Sequence, residues 1–265
     1  MMDRVKWLEG AREDTTRAQM AKVYDQLSQC QRQNRPVFTD FVNPVVQDLC
    51  RSHFAATKDK DLPEMRFEGG HPGFESCVIG FYPQGDSFEL HPVPMVLLEI
   101  SALEVTAAWS HRDLLGSLLG LGLAREKFGD LRNGEKAAFV FVLEKLAPFV
   151  INTLARVSRD PVSVREVPWT EFPSEDAGGE LLFRTVKSTR LDAVIAAGFD
   201  LSRSQAQKLV EAERVKVNHR PENRPDKSVP DDAVISVRGY GRLVLAANLG
   251  SSKKDRTKMQ LKRFC

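Results

Sequence analysis

The spacing of apolar residues changes along the chain, from every third or fourth position to every second and back, and these changes mark out the modules. Glu13 to Arg32 is rich in helix formers. Asn43 followed by Pro44 then opens a second helix through VVQDLCRSHFAAT, because Asn caps a helix and Pro is tolerated in its first turn. Residues 1–61 are therefore expected to form a helical N-terminal domain. From Leu62 the period shortens to two. EMRFE and FESCVIGFY, separated by a GGHPG turn, and VPMVLLEISAL after a proline-broken link read as strands. A helix follows Ser110, an N-cap with Asp113 at the third helical position. A GDLRNGE turn, a strand AAFVFV, a helix LEKLAPFVINTLARV and a strand PVSVREV complete this region. Strands interleaved with two helices predict a ferredoxin-like α+β central domain over residues 62–167. PWTEFPSEDAGGE is a linker by composition and is assigned to residues 168–182.

The last module, residues 183–265, reads as helix (TRLDAVIAAG, with Gly198 as its C-cap), helix (SRSQAQKLVEAER) and strands around VKVN, AVISVRG and RLVLAA. It ends in the basic tail SSKKDRTKMQLKRFC, which has room for a short strand. The fold class is α+β throughout. Ser202 can cap the second of these helices, with Gln205 closing a capping box, which puts Arg203 in the first helical turn. A cation at the positive end of the macrodipole costs roughly 0.3–1 kcal/mol unless an anion offsets it. Free backbone N–H groups at a helix start already favour phosphate, so an external anion is the expected partner. At about 100° per residue, Arg203, Gln207 and Arg214 fall within roughly 40° of one another, with Ala206, Leu209 and Val210 as the buried stripe beside them. Lys208 and Ser204 widen the polar side, and Lys216 is expected to continue the basic edge into the strand.

Charge sharpens this picture. The net charge of +2 conceals an excess of +9 from Phe183 onward and −7 before it, the distribution of a nucleic-acid-binding module joined to an acidic body. The longest apolar run, LLGSLLGLGLA, is too short to span a bilayer, and no membrane insertion is expected. The charged N-terminal stretch lacks a signal-peptide apolar core. Cys30, Cys50, Cys77 and Cys265 show no paired spacing, which fits reduced thiols, and Cys50 with His53 is half a metal motif. Neither a metal nor another cofactor is expected.

RLDAVIAAGFDLSRSQAQKLVEAERVKVNHRP followed by VPDDAVISVRGYGR resembles the S-four RNA-binding domain, named after a small-subunit ribosomal protein. That resemblance implies two helices plus a small β-sheet that hold structured RNA by its phosphates. By motif position it implies RNA contacts at Arg190, Ser202, Arg203, Ser204, Gln207, Lys208, Arg214, Lys216, Asn218, Arg220 and Lys227. Upstream, RFEGGHPGFESCVIGFYP and WSHRDLLGSLLGLGLAREKFGDL resemble the central region of the bacterial YlmH family. Members carry a helical segment and an RNA-binding α+β domain before an S-four domain. This family resemblance implies a ribosome-associated quality-control factor bound to large ribosomal subunits that carry a stalled peptidyl-tRNA. It also implies a second RNA contact at His111, Arg112, Arg125 and Lys127. Relatives in photosynthetic organisms are linked to photosystem II assembly, and some bacterial members to cell division. The expected protein is thus a monomeric, non-catalytic binder of structured rRNA or tRNA in a bacterial cytoplasm, with a plastid stroma as the alternative.

Enzymatic readings find less support. HRDL resembles a kinase catalytic loop, but Leu118 stands where the asparagine is required, and no DFG motif is present. GLG lies inside an apolar run rather than after a strand, where a dinucleotide loop would be; close helix–sheet packing explains Gly116 and Gly120 instead. Arg190, Leu191 and Asp192 spell the RLD of a pseudouridine synthase but lack the downstream TSG, and Asp192 is expected to cap or to form a salt bridge. An RNA-modifying enzyme and an RNA-tethered protein scaffold remain the competing classes.

Overall fold

A computed structural model of the chain describes residues 3–57, 62–86, 88–104, 109–134, 137–173, 180–218, 220–231, 233–251 and 257–264. Part of the expected linker, residues 174–179, lies outside the described residues. The chain forms two compact units, Met1–Pro173 and Ser174–Cys265, which divide inside that linker.

In the first unit, Asp3 caps the short helix α1 (Arg4–Trp7), and the buried Trp7 indole N–H donates to the Met20 carbonyl at 2.8 Å. Helix α2 (Asp14–Gln33) turns Met20, Val23, Leu27 and Cys30 inward. Strand β1 (Val37–Val42) follows, then Asn43 accepts from the Val46 N–H at 3.1 Å and starts α3 (Pro44–Ala56). With β2 (Glu64–Glu68) and β3 (Cys77–Tyr82), β1 makes an antiparallel sheet of order β1-β3-β2.

A second sheet comes from β4 (Met95–Ala102), α4 (His111–Leu119), β5 (Phe128–Asn133), β6 (Ala137–Leu143), α5 (Ala147–Thr153), β7 (Arg156–Val157) and β8 (Asp160–Val167). Its antiparallel order β5-β6-β4-β8-β7, with α4 and α5 as the two crossovers, is the expected ferredoxin-like arrangement plus the short β7. Leu114, Leu118 and Val150 of the helices cover Leu98, Ile100 and Val140 on one face. On the other face Leu97 and Phe141 pack with Phe41 and Val78 of the first sheet.

That shared core corrects the expected boundary at 61/62, because β1 from the first segment is paired with β3 from the second. The partner of VFTDFV lies 35 or more residues away along the chain, so a local pattern of six residues does not reveal the pairing. GDLRNGE is likewise mostly strand rather than turn, and the irregularity between Phe128 and Leu131 breaks the alternation that would have marked it.

The second unit runs β9 (Glu180–Val186), α6 (Leu191–Gly198), α7 (Arg203–Glu211), β10 (Val215–Val217), β11 (Arg220–Pro221), β12 (Val234–Val237), β13 (Gly241–Ser251) and β14 (Thr257–Phe264). The strands form a six-stranded antiparallel sheet of order β11-β10-β12-β13-β14-β9, larger than the small sheet expected. The basic tail supplies β14, and the end of the expected linker supplies β9. In β14 Met259 and Leu261 face the core while Lys258 and Lys262 face out; in β9 Leu182 and Val186 face the core, and the exposed Leu181 and Phe183 on the other face blur the alternation. Helices α6 and α7 cover only that inner face, through Val194, Ile195, Ala206 and Val210. Gly198 still belongs to α6, where a Cβ would come within 2.3 Å of Leu243 Cδ1, so close helix–sheet approach rather than capping demands glycine. Among the described residues no helix is long and apolar enough to cross a membrane.

Candidate nucleic-acid interface

The start of α7 forms as its sequence dictates. Ser202 Oγ accepts from the Gln205 N–H at 3.2 Å, and Gln205 Oε1 accepts from the Ser202 N–H at 2.9 Å. Arg203 is the first helical residue, and its Nη2 donates to Asp192 Oδ2 at 2.7 Å. Arg190, the N-cap residue of α6, grips the same carboxylate, through Nε to Oδ1 at 3.3 Å and Nη2 to Oδ2 at 3.1 Å. The anion that offsets Arg203 is therefore a residue of the chain itself, which corrects the expectation of an external one. Asp192 has formed the expected salt bridge, twice over.

The Asp192 side chain is 4% exposed, whereas Arg190 and Arg203 remain 44% and 50% exposed. Burial pushes the carboxyl up, but hydrogen bonds and charge from the two guanidinium groups outweigh it and leave Asp192 below the usual carboxylate range. The trio keeps a net charge of about +1, and most of the five N–H donors on each fork stay available. A nearby segment is stitched to this site: the Leu191 N–H donates to the Lys227 carbonyl at 2.8 Å and the Asp192 N–H to the Pro225 carbonyl at 3.0 Å. Within that segment the buried Glu222 accepts from the Lys227 ammonium and from the Arg224 N–H at 3.1 Å. Lys227 is thus a half-buried ion-pair partner.

Farther along α7, Ser204, Gln207 and Lys208 are exposed, and Gln207 donates to Glu211 at 2.7 Å. Arg214 is exposed and donates Nη2 to the Arg238 carbonyl at 2.8 Å. Two expected contacts sit elsewhere. Asn218 has a left-handed φ of 47°, accepts from the Val234 N–H at 2.9 Å and returns its own N–H to the Val234 carbonyl at 2.8 Å, so it fixes the β10–β12 pairing. Lys216 lies between the buried Val215 and Val217, so alternation points it to the sheet face opposite α7 and the basic edge does not continue through it. Arg220 is exposed on β11.

The second expected group divides as well. His111 and Arg112 open α4 behind a Ser110–Asp113 capping box, and both are exposed. Partial desolvation and then the Arg125 charge hold the His111 imidazole below its ordinary range, which favours the neutral ring and places the Arg125 guanidinium within its electrostatic reach. Arg125 donates to the carbonyls of Phe128 and Gly129. Lys127, however, is clamped on Asp40 at 2.8 and 2.7 Å and serves as a structural link to β1. No neighbour would meet a Cβ at Gly116, so close packing does not explain that glycine; Gly122, at φ 80°, is the position that needs one.

Charge-based reading missed Asp130. It accepts from His71 Nε2 at 2.9 Å and from the N–H groups of Glu75 and Ser76 at 2.8 Å each, pinning the GGHPG loop beside Arg125 and His111. Burial raises its carboxyl, but these hydrogen bonds bring it below the usual range. The sequence signal was the cluster of glycines on either side of a lone histidine. Among the described residues no three His, Cys, Asp or Glu side chains are grouped as metal ligands.

Two helices laid on an antiparallel sheet, the second box-capped and each starting at one member of a fixed guanidinium pair, define an S4-type RNA-binding module. The family model "S4 domain" matches residues 189–235, and "Putative RNA-binding domain in YlmH" matches residues 83–171. The chain is 31% identical over 233 residues to "Ribosome-associated protein quality control protein P2" of Bacillus subtilis (strain 168), covering 88% of this chain and 89% of that one. The chain belongs to the YlmH family. The solved structure "Cell division protein ylmH from Streptococcus pneumoniae" aligns with a TM-score of 0.50 at 22% identity, covering 61% of this chain and 96% of that chain, a likeness of fold.

Proposed function

We propose that this protein is a non-catalytic RNA-binding factor that docks on structured rRNA, with or without tRNA, on the large ribosomal subunit and acts in ribosome quality control. The observation that carries the reading is the Arg190–Asp192–Arg203 trio: two half-exposed guanidinium groups held in fixed orientation at the starts of α6 and α7, in a unit with a large basic excess. Ser202, Ser204, Gln207, Lys208 and Arg214 extend that surface, and His111, Arg112 and Arg125 supply a second contact. The paired state of Asp192 favours binding over chemistry, since its carboxylate is engaged by two cations rather than poised as a nucleophile. The name of the Bacillus relative supports the ribosomal assignment. A bacterial-type cytoplasm is the proposed compartment, and no observation favours a plastid or a photosystem role.

The test is cosedimentation with ribosomal subunits across a salt series. Arg203→Glu would set a second carboxylate against buried Asp192, so the informative variant is Arg203→Gln with Lys208→Glu. Loss of large-subunit binding, with the slope of log K on log salt reduced by about two, is the expected result. Unchanged binding by a folded variant would refute the docking surface. Lys127→Ala is expected to leave RNA binding intact. Altered nucleotides in the bound RNA, read by mass spectrometry, would instead make the protein an enzyme, and a protein partner retained after nuclease treatment would make it a scaffold.

A further inference from the structure

Among the described residues, helices cover one face of the six-stranded sheet of the second unit. Directly opposed residues of antiparallel strands share a face, so the strand register reads out what the other face carries. One continuous row is Lys216, Ser236, Arg242 and Phe264, across β10, β12, β13 and β14. In the next row Lys262 stands opposite Leu181, and beyond it Gln260 stands opposite Phe183 and Lys258 opposite Thr185.

These rows mix cations with rings and small polar or apolar residues. Four cations stand at the named positions, none of which is acidic, and Val244 and Val234 continue the Lys262 row. Phe183 is 64% exposed and Leu181 is 48% exposed, on the edge strand. The Arg242 guanidinium lies over the Phe264 ring, 4.6 Å from its centroid, with Lys262 Nζ 5.4 Å from the same ring. Phe183 and Phe264 stand two rows apart, about 13 Å at the rise of a strand. Open antiparallel sheets that bear aromatic rings among cations bind unpaired bases: each base stacks on a ring or on a guanidinium plane, and the cations take the phosphates. Duplex RNA keeps its base faces stacked inside the helix, where these rings cannot reach them.

We infer that the outer sheet face, centred on Phe183 and the Arg242–Phe264 pair, is a separate binding site for single-stranded RNA. Phe183, Arg242, Lys258, Lys262 and Phe264 all lie outside the S4-matched residues 189–235, so the site is built by strands that this chain adds around that module. The inference does not depend on the helix-edge reading above, which rests on α6 and α7, the helices packed on the inner face of the sheet.

The experiment measures binding of the full chain to a twelve-nucleotide uridine strand carrying one 2-aminopurine, beside a tetraloop hairpin of RNA. The variants are Phe183→Ala, Phe264→Ala and Lys258→Glu with Lys262→Glu, each checked for an unchanged melting curve. Each ring removed is expected to weaken single-strand binding roughly 5- to 150-fold and to lose the quenching that marks a stacked base. The hairpin affinity should be unmoved. Arg203→Gln with Lys208→Glu should show the opposite pattern, so failure of either reading is distinguishable. Because Phe183 is largely exposed, its variant remains informative if Phe264→Ala does not fold. Single-strand affinity unchanged in Phe183→Ala overturns the inference, as does loss of a protein partner from ribosomes in that variant with RNA affinity intact.

Discussion

Asp192→Asn is the most informative single change, because it keeps the shape of the side chain and removes only its charge. In the native chain the buried carboxylate accepts three hydrogen bonds from two guanidinium groups, the shortest at 2.7 Å. A hydrogen bond to a charged group contributes about 1.5–3 kcal/mol in a buried setting, but pairs open to solvent are screened to about 0.2–1 kcal/mol. Both arginines are half exposed, so the expected loss lies between these limits, at roughly 1–3 kcal/mol for the whole trio. Urea unfolding of the full chain measures the loss, and amide hydrogen exchange should localise it to α6 and α7. The pH dependence gives an independent check. Because the carboxyl is depressed in the folded state, its contribution is complete above the unfolded value of about 3.9 and fades as pH falls through the lower folded value. The wild-type advantage over Asp192→Asn should therefore be constant near neutrality and vanish in acid. A variant within about 0.5 kcal/mol of wild type at pH 7 would refute the claim that Asp192 holds the pair.

Gly70→Ala should destabilise the first unit by roughly 2–5 kcal/mol in urea titration, since φ is 86° and a Cβ would come within 2.2 Å of Phe141 Cε1; a variant as stable as wild type would show that the GGHPG loop repacks freely. Burial pushes the Cys30 thiol up to about 11 and Cys50 up to about 12, with Cys77 raised further. All three should therefore resist a maleimide at pH 8 until urea is added, and labelling of any of them in the folded chain, mapped by mass spectrometry, would contradict their packing.

What the sequence showed clearly was whatever local spacing encodes. The box at Ser202–Gln205, the Ser110 and Asn43 caps and the strands β3 and β4 all appear in the structure where the pattern placed them. The ferredoxin-like order was legible too, because two helices punctuate its strands. What escaped was long-range or masked. β1 depends on a partner beyond the expected boundary, β5 carries a bulge, β14 alternates its core residues with lysines, and β9 mixes Glu180 and Arg184 into its core-facing positions while Leu181 and Phe183 face out. The candidate site was legible as a set of residue types but not as a geometry. Helical angles group Arg203, Gln207 and Arg214, yet they do not show that Asp192 reaches Arg203 across two helices, nor that Lys216 points away from them.

The basic charge of the second unit is divided between two kinds of setting, and the division bears on what each can recognise. On the helix side the cations come with internal acids: Arg190 and Arg203 with Asp192, and Lys227 with Glu222. Such pairing gives up net charge but fixes the donor forks before any ligand arrives, so less rotamer entropy is lost when phosphates on a folded RNA meet them. A rigid array suits a rigid target, because only a folded RNA holds its phosphates in one arrangement. On the outer sheet face the Phe264 ring lies against both Arg242 and Lys262. Stacking tolerates any base and imposes little geometry along a backbone, so this face suits a strand without structure of its own. One unit of about ninety residues can thereby hold a folded RNA and an unpaired segment at once, and the two surfaces need share no residue that both require.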